Sequence, residues 1–166
     1  GGGSPGVGGA GWSVIQAGTD SSLRRVRLAL DPSTDPADYG FRHCLRVRFA
    51  ETDAMGVVHH AAYLPYLEEA RGAWLRSIGH PYDTVRDEGV DFGVLEAFVQ
   101  YRLALRFDEL VDVHLRLGAV TRTTFQVAYL LTVDERVRAT AVTVHGAMNM
   151  AGRPARLPAW VATLVG

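Results

Sequence analysis

Between Tyr63 and Ile78 the apolar residues Tyr63, Tyr66, Leu67, Ala70, Trp74 and Ile78 recur at spacings of three and four, with Glu68, Glu69, Arg71 and Arg76 mostly off that stripe. The spacing predicts one long amphipathic helix, ended by Gly79 and Pro81. Upstream, Leu45, Val47 and Phe49 alternate with Arg46 and Arg48, the period of a half-buried strand. Downstream come four runs of strand character, Phe92 to Phe107, Val111 to Val120, Thr124 to Val133 and Val137 to Met148. Phe125, Val127, Tyr129 and Leu131 share one face of their run, and Val113, Leu115 and Leu117 alternate with His114 and Arg116. The connections are short, as antiparallel neighbours allow and parallel ones do not. The order is therefore strand, long helix, four strands: an α+β chain in which one antiparallel sheet of about five strands covers one helix. A sheet of this kind leaves two edges, and pairing with a second copy is a common way to close one, so a homodimer or a homotetramer built from it is expected.

With 166 residues the chain has room for one domain of about 100–150 residues. Residues 1–11, GGGSPGVGGAG, are flexible by composition, and DPSTDPADYG at 31–40 is rich in turn formers. LRRVRLAL, residues 23–30, has the pattern of a short strand or a helical turn. Residues 1–40 are thus expected as a flexible N-terminal segment and linker, with the folded domain over 41–166. The closing LPAWVATLV reads as a short helix or strand.

A formal net charge of −1 and the lack of any long basic run argue against nucleic-acid binding. All 17 basic residues are arginine, which excludes Schiff-base and P-loop lysine chemistry. The one cysteine, Cys44, has no disulfide partner within the chain. No secretory h-region and no apolar run of membrane-spanning length is seen, so the expectation is a cytoplasmic protein that does not enter the membrane.

The run RFAETDAMGVVHHAAYLPYLEEAR, Arg48 to Arg71, supplies Phe49, Glu51, Thr52, Asp53, Gly56, Val58, His60 and Tyr63 in a fixed register just ahead of the helix. This run resembles the signature of the 4-hydroxybenzoyl-CoA and YbgC-like acyl-CoA thioesterases of the hotdog fold, and the likeness extends over most of Phe41 to Leu164. The resemblance implies that Asp53 attacks the thioester carbonyl or activates water, that the backbone N–H of His60 donates to the oxyanion, and that active sites lie between subunits. Elementary chemistry agrees with either role for Asp53. A carboxyl of ordinary pKa, about 3.9, is ionised at neutral pH, and a thiol of pKa about 8.5 leaves without a strong general acid. Gly56 to His60 run into the first helical turn, where backbone N–H groups lack intrahelical partners. Gly56 lets the backbone turn without a Cβ clash. No cofactor is required, coenzyme A being part of the substrate.

Other readings weigh on the same residues. Asp53 also suits an ordinary Asx turn at a helix entry. His59, His60 and Asp53 lack the spacing of a metal site, and none is expected. Glu68 and Glu69, adjacent in sequence, point about 100° apart on a helix and read as solvated surface. Candidate substrate contacts are Phe49, Gly56, Val58, His59 and Tyr63, with the His60 side chain, and Arg122 for a coenzyme A phosphate. Phe49 stands where YbgC-like enzymes often carry a tyrosine, so that hydroxyl is missing. The acyl donor is expected to be coenzyme A or an acyl-carrier protein, and the acyl group is not legible. Two alternatives are a hotdog dehydratase or hydratase, whose D-x-N-x-x-H pattern is absent, and a binding module without turnover.

Overall fold

A computed structural model describes residues 27–165, and its longest helix, α1 (Tyr63–Ser77), lies where the apolar spacing places it. Tyr63, Tyr66, Leu67, Ala70, Trp74 and Leu75 are buried along one side. The helix stops at Gly79, which takes φ +82° while donating its N–H to the Arg76 carbonyl (3.1 Å). His80 donates to the Leu75 carbonyl (2.9 Å), so the last turn's acceptors are satisfied by the chain that leaves it. A short helix α2 (Tyr82–Asp87) follows, which the sequence reading did not anticipate because six residues carry too little periodicity. The C-terminal run takes the helical alternative, α3 (Ala159–Thr163), with the Trp160 ring stacked on His80 at 3.9 Å.

Strands β1 (Phe41–Arg46), β2 (Val90–Tyr101), β3 (Leu110–Gly118), β4 (Thr124–Val133) and β5 (Arg136–Asn149) form one antiparallel sheet in the order β1-β3-β4-β5-β2. Phe125, Val127, Tyr129 and Leu131 of β4 and Ala139 and Ala141 of β5 join the α1 stripe in one core. This is the expected hotdog arrangement, one long helix wrapped by five strands. No helix among the described residues is long and apolar enough to cross a membrane.

Three expectations shift against this frame. The first strand runs Phe41–Arg46 instead of Leu45 to Phe49, because the Glu51 carboxylate accepts the Arg48 N–H (2.9 Å) and coils Phe49–Glu51 into a 3-10 turn. The second strand ends at Tyr101 and not Phe107, because Arg102 and Leu103 both donate to the Arg138 carbonyl (2.9 and 3.0 Å) and swing the chain out of the ladder. Arg71, off the stripe in sequence, is only 6% exposed. Its Nε donates to the Tyr82 hydroxyl (2.8 Å) and its Nη1 to Tyr129 (3.3 Å), and the chain of bonds continues through Thr143 to His145. Burial, helped by the Arg71 charge, pushes His145 down to about 3, so the ring is neutral.

Residues 27–40 lie against the sheet face opposite the helix, with Tyr39 beside His114 (6.2 Å between rings) and a 3-10 turn at Pro36–Asp38 capped by the Asp35 carboxylate. Residues 1–26, with the Gly-rich run, are outside the described residues.

Candidate active site

The chain between β1 and α1 is shaped by one carboxylate that the sequence reading assigned no role. Glu51, 12% exposed at its side chain, accepts from the Arg48 guanidinium (2.7 Å) and from the Tyr66 hydroxyl on α1 (2.5 Å). Burial alone would raise its pKa, but the bonds from Tyr66 and Arg48 outweigh that and hold it below the ordinary carboxylate range. Its backbone carbonyl accepts the His59 N–H (2.8 Å). Glu51 thereby clamps the loop at both ends onto the helix.

Within that clamp Asp53 donates its N–H to the Val57 carbonyl and accepts the Gly56 N–H on its own carbonyl, both at 2.9 Å. Gly56 sits at φ +73°, a conformation that costs an L side chain about 1–2 kcal/mol. Asp53 Oδ1 accepts the Met55 N–H (2.8 Å), so the Asx turn is present. Its Oδ2 has no hydrogen-bond donor among the described residues, and the half-buried carboxylate lines a cavity of about 290 Å³. One residue thus both holds the loop, through Oδ1, and lines the cavity.

The opposite wall is the helix start. A 3-10 turn, His60–Ala62, runs directly into α1, and His59 caps it by accepting the Ala61 N–H on Nδ1 (3.1 Å). The backbone N–H of His60 has no acceptor among the described residues, as expected of a first-turn donor. Tyr63, buried and with its phenol pushed up by that burial, meets Tyr101 edge to face at 4.8 Å, and the Tyr101 hydroxyl donates to the His60 carbonyl (3.1 Å).

Of the residues singled out in the sequence, Asp53, Val58, His60 and Tyr63 line this cavity together. Gly56 shapes its loop, and His59 serves as the cap instead of a wall. Phe49 is 75% exposed and packs edge to face on Phe107 (5.7 Å). Arg122 is exposed between β3 and β4, at the sheet end where β2 begins; the cavity lies where β2 ends. Sequence reasoning missed Val57, within the loop itself, and Tyr101, Arg102, Leu103 and Ala104 at the end of β2, which complete the lining. Tyr101 to Ala104 were hidden inside a continuous strand pattern, and the bifurcated bonding at the Arg138 carbonyl that ends the strand there has no signal in residue type.

Fold and loop together describe an α+β chain that brings a carboxylate to a helix N-terminus, and the comparisons with known proteins give the family of that fold. The thioesterase-like superfamily matches over residues 47–165, and the chain belongs to that superfamily. A putative esterase of Aquifex aeolicus is 44% identical over 100 residues, 60% of this chain and 78% of that one. The acyl-CoA thioesterase YbgC of Haemophilus influenzae is 36% identical over 84 residues, 50% of this chain and 62% of that one. The crystal structure of a hypothetical protein from Aquifex aeolicus superposes with a TM-score of 0.72 at 38% identity, covering 76% of this chain and 99% of that one.

Proposed function

We propose that this chain hydrolyses acyl-CoA thioesters, with Asp53 as nucleophile or general base and the His60 N–H as oxyanion donor. The observation that carries the reading is that one cavity is lined by Asp53 and His60, of which a carboxylate oxygen and the helix-start N–H, respectively, have no hydrogen-bond partner among the described residues. As a base, Asp53 takes a proton from water while the water oxygen adds to the carbonyl. As a nucleophile, it forms an anhydride that water then opens. In both, the negative charge on the former carbonyl oxygen falls to His60 N–H, the tetrahedral intermediate expels the thiolate, and the products are a free acid and coenzyme A. One such donor is worth about 10²–10³ in rate.

The reading includes a homodimer. Strand β2 is an edge of the sheet, twelve residues long, with Val94, Leu95, Phe98 and Tyr101 all more than 40% exposed along it. Two copies paired antiparallel along β2 set the cavity end of one strand against the start of the other. That is the end of the sheet where Arg122 lies, so a partner's guanidinium comes within reach of a coenzyme A phosphate.

The test is free-thiol release from a panel of acyl-CoAs and acyl-carrier-protein thioesters by the wild type, Asp53→Asn and Asp53→Ala. Turnover in the wild type that both substitutions abolish is expected, and turnover that survives both overturns the mechanism. Binding without turnover in the wild type leaves a module in place of an enzyme. Single turnover in ¹⁸O-water tests the nucleophilic role, since an unlabelled acid arises only when Asp53 forms the anhydride and water opens it at the Asp53 carbonyl.

A further inference from the structure

The sheet face turned away from α1 has an apolar centre of Ala128, Leu130, Val142 and Val144, with charged and polar residues around it. In register across the strands, Gly118, Gln126, Val144 and Glu96 form one row, and Arg116, Ala128, Val142 and Phe98 form the next. Leu130 lies in the row beyond, between His114 and Thr140. Ala128, Leu130, Val142 and Val144 are fully buried, although the helix lies on the other face. A face of this kind left open is a surface for a second sheet to stack on.

Residues 27–30 run along the first row. Arg27 donates its N–H to the Glu96 carboxylate (2.9 Å) on β2, and Ala29 donates to Gln126 Oε1 (2.8 Å) on β4. Gln126 returns a bond from Nε2 to the Arg27 carbonyl, so its buried amide is satisfied by the crossing backbone as by a neighbouring strand. Leu30 reaches Gly118 on β3, where a Cβ would stand 3.0 Å from the leucine side chain. The segment then turns at Pro36–Asp38 and ends with Tyr39 beside His114 and its hydroxyl donating to the Ser33 carbonyl (2.7 Å). These contacts use outward-facing side chains, and β2 is hydrogen-bonded along one side only, to β5.

We propose that residues 27–40 are a strap that occupies, within one chain, the face on which a second copy would otherwise stack, so that assembly uses the β2 edge alone. The strap lies ahead of the superfamily match, which begins at residue 47. The occupant follows from the contacts: Glu96 on β2, Gln126 on β4 and Gly118 on β3 are met in turn by Arg27, Ala29 and Leu30. The proposal does not depend on the hydrolytic reading, and its readout is not activity.

The test uses the full chain with Val144→Cys, which sits in register between Glu96 and Gln126, in a Cys44→Ser background. Thiol labelling and light-scattering mass are measured with the strap intact and with Ala29→Pro and Leu30→Asp together, which remove one bond and place a charge against Gly118. The proposal expects a protected thiol in the parent, and on breaking the strap either rapid labelling or a doubled mass. Rapid labelling of the parent overturns it. So does protection that persists at unchanged mass, or a mass that falls when the strap is broken, since that outcome means a second copy supplied the cover. Should the double substitution prevent folding, Gln126→Ala, which deletes both amide bonds to the strap, carries the same comparison.

Discussion

His60→Pro removes one hydrogen atom from the chemistry and leaves the fold around it nearly untouched. Proline lacks the backbone N–H proposed as oxyanion donor, and the first position of a helical turn tolerates it because that N–H has no intrahelical acceptor. The residue before a proline must be extended, and His59 already has φ −61° and ψ 138°. The bond from the Tyr101 hydroxyl uses the His60 carbonyl, which proline keeps. The expected loss is therefore concentrated in the rate, about 10²–10³-fold in kcat or roughly 3–4 kcal/mol of transition-state stabilisation. Stability should move by about 0.5 kcal/mol or less, as for a surface substitution that breaks no bond. The control is His60→Ala, which deletes the imidazole, with its 4.1 Å contact to His59, but keeps the N–H. Steady-state thiol release for both variants, melting temperature, and inhibition by free coenzyme A, which carries no acyl oxygen, make up the assay. His60→Pro that turns over within about threefold of His60→Ala, with coenzyme A inhibition intact in both, refutes the assignment of the donor.

Three further outcomes follow from the same loop and its surroundings. Tyr66→Phe deletes a bond to a charged acceptor and should cost about 1.5–3 kcal/mol at neutral pH, with kcat reduced because the clamp also carries Asp53. Since the Glu51 pKa is lowered in the fold, its contribution is complete above the unfolded carboxylate pKa of about 4.3 and is lost as pH falls through the folded value, so wild-type and Tyr66→Phe melting curves should converge in acid. Gly56→Ala should destabilise by about 1–2 kcal/mol through its positive φ alone, because no atom lies within 4 Å of the added Cβ; Gly56→Asn should recover part of that in urea titrations. Arg122→Ala should raise KM for acyl-CoA by about five- to tenfold with kcat unchanged, and leave an acyl-pantetheine substrate unaffected.

How much of this was legible beforehand depends on the range over which each feature is determined. The helix Tyr63–Ser77, its stop at Gly79 and the inward face of β4 follow from periods of 3.6 and 2, which are local properties of residue order. The placing of Asp53 beside the helix start was equally readable, because Asp53 and His60 are only seven positions apart and the turn between them needs Gly56. Arg71 was misplaced because a charged residue beside an apolar stripe looks solvent-facing, and only the hydroxyls of Tyr82 and Tyr129, distant in the chain, make its burial tolerable.

By itself, then, the order of residues determined one helix, a sheet of about five strands and a carboxylate delivered to a free N-terminus, each set by near neighbours. Tertiary structure alone decided the far wall of the cavity, since Tyr101 to Ala104 leave β2 through a bond to Arg138 on another strand. It alone laid the start of residues 27–40 along the sheet, because the partners Glu96, Gln126 and Gly118 lie about seventy to a hundred residues away and no periodicity records a contact at that distance.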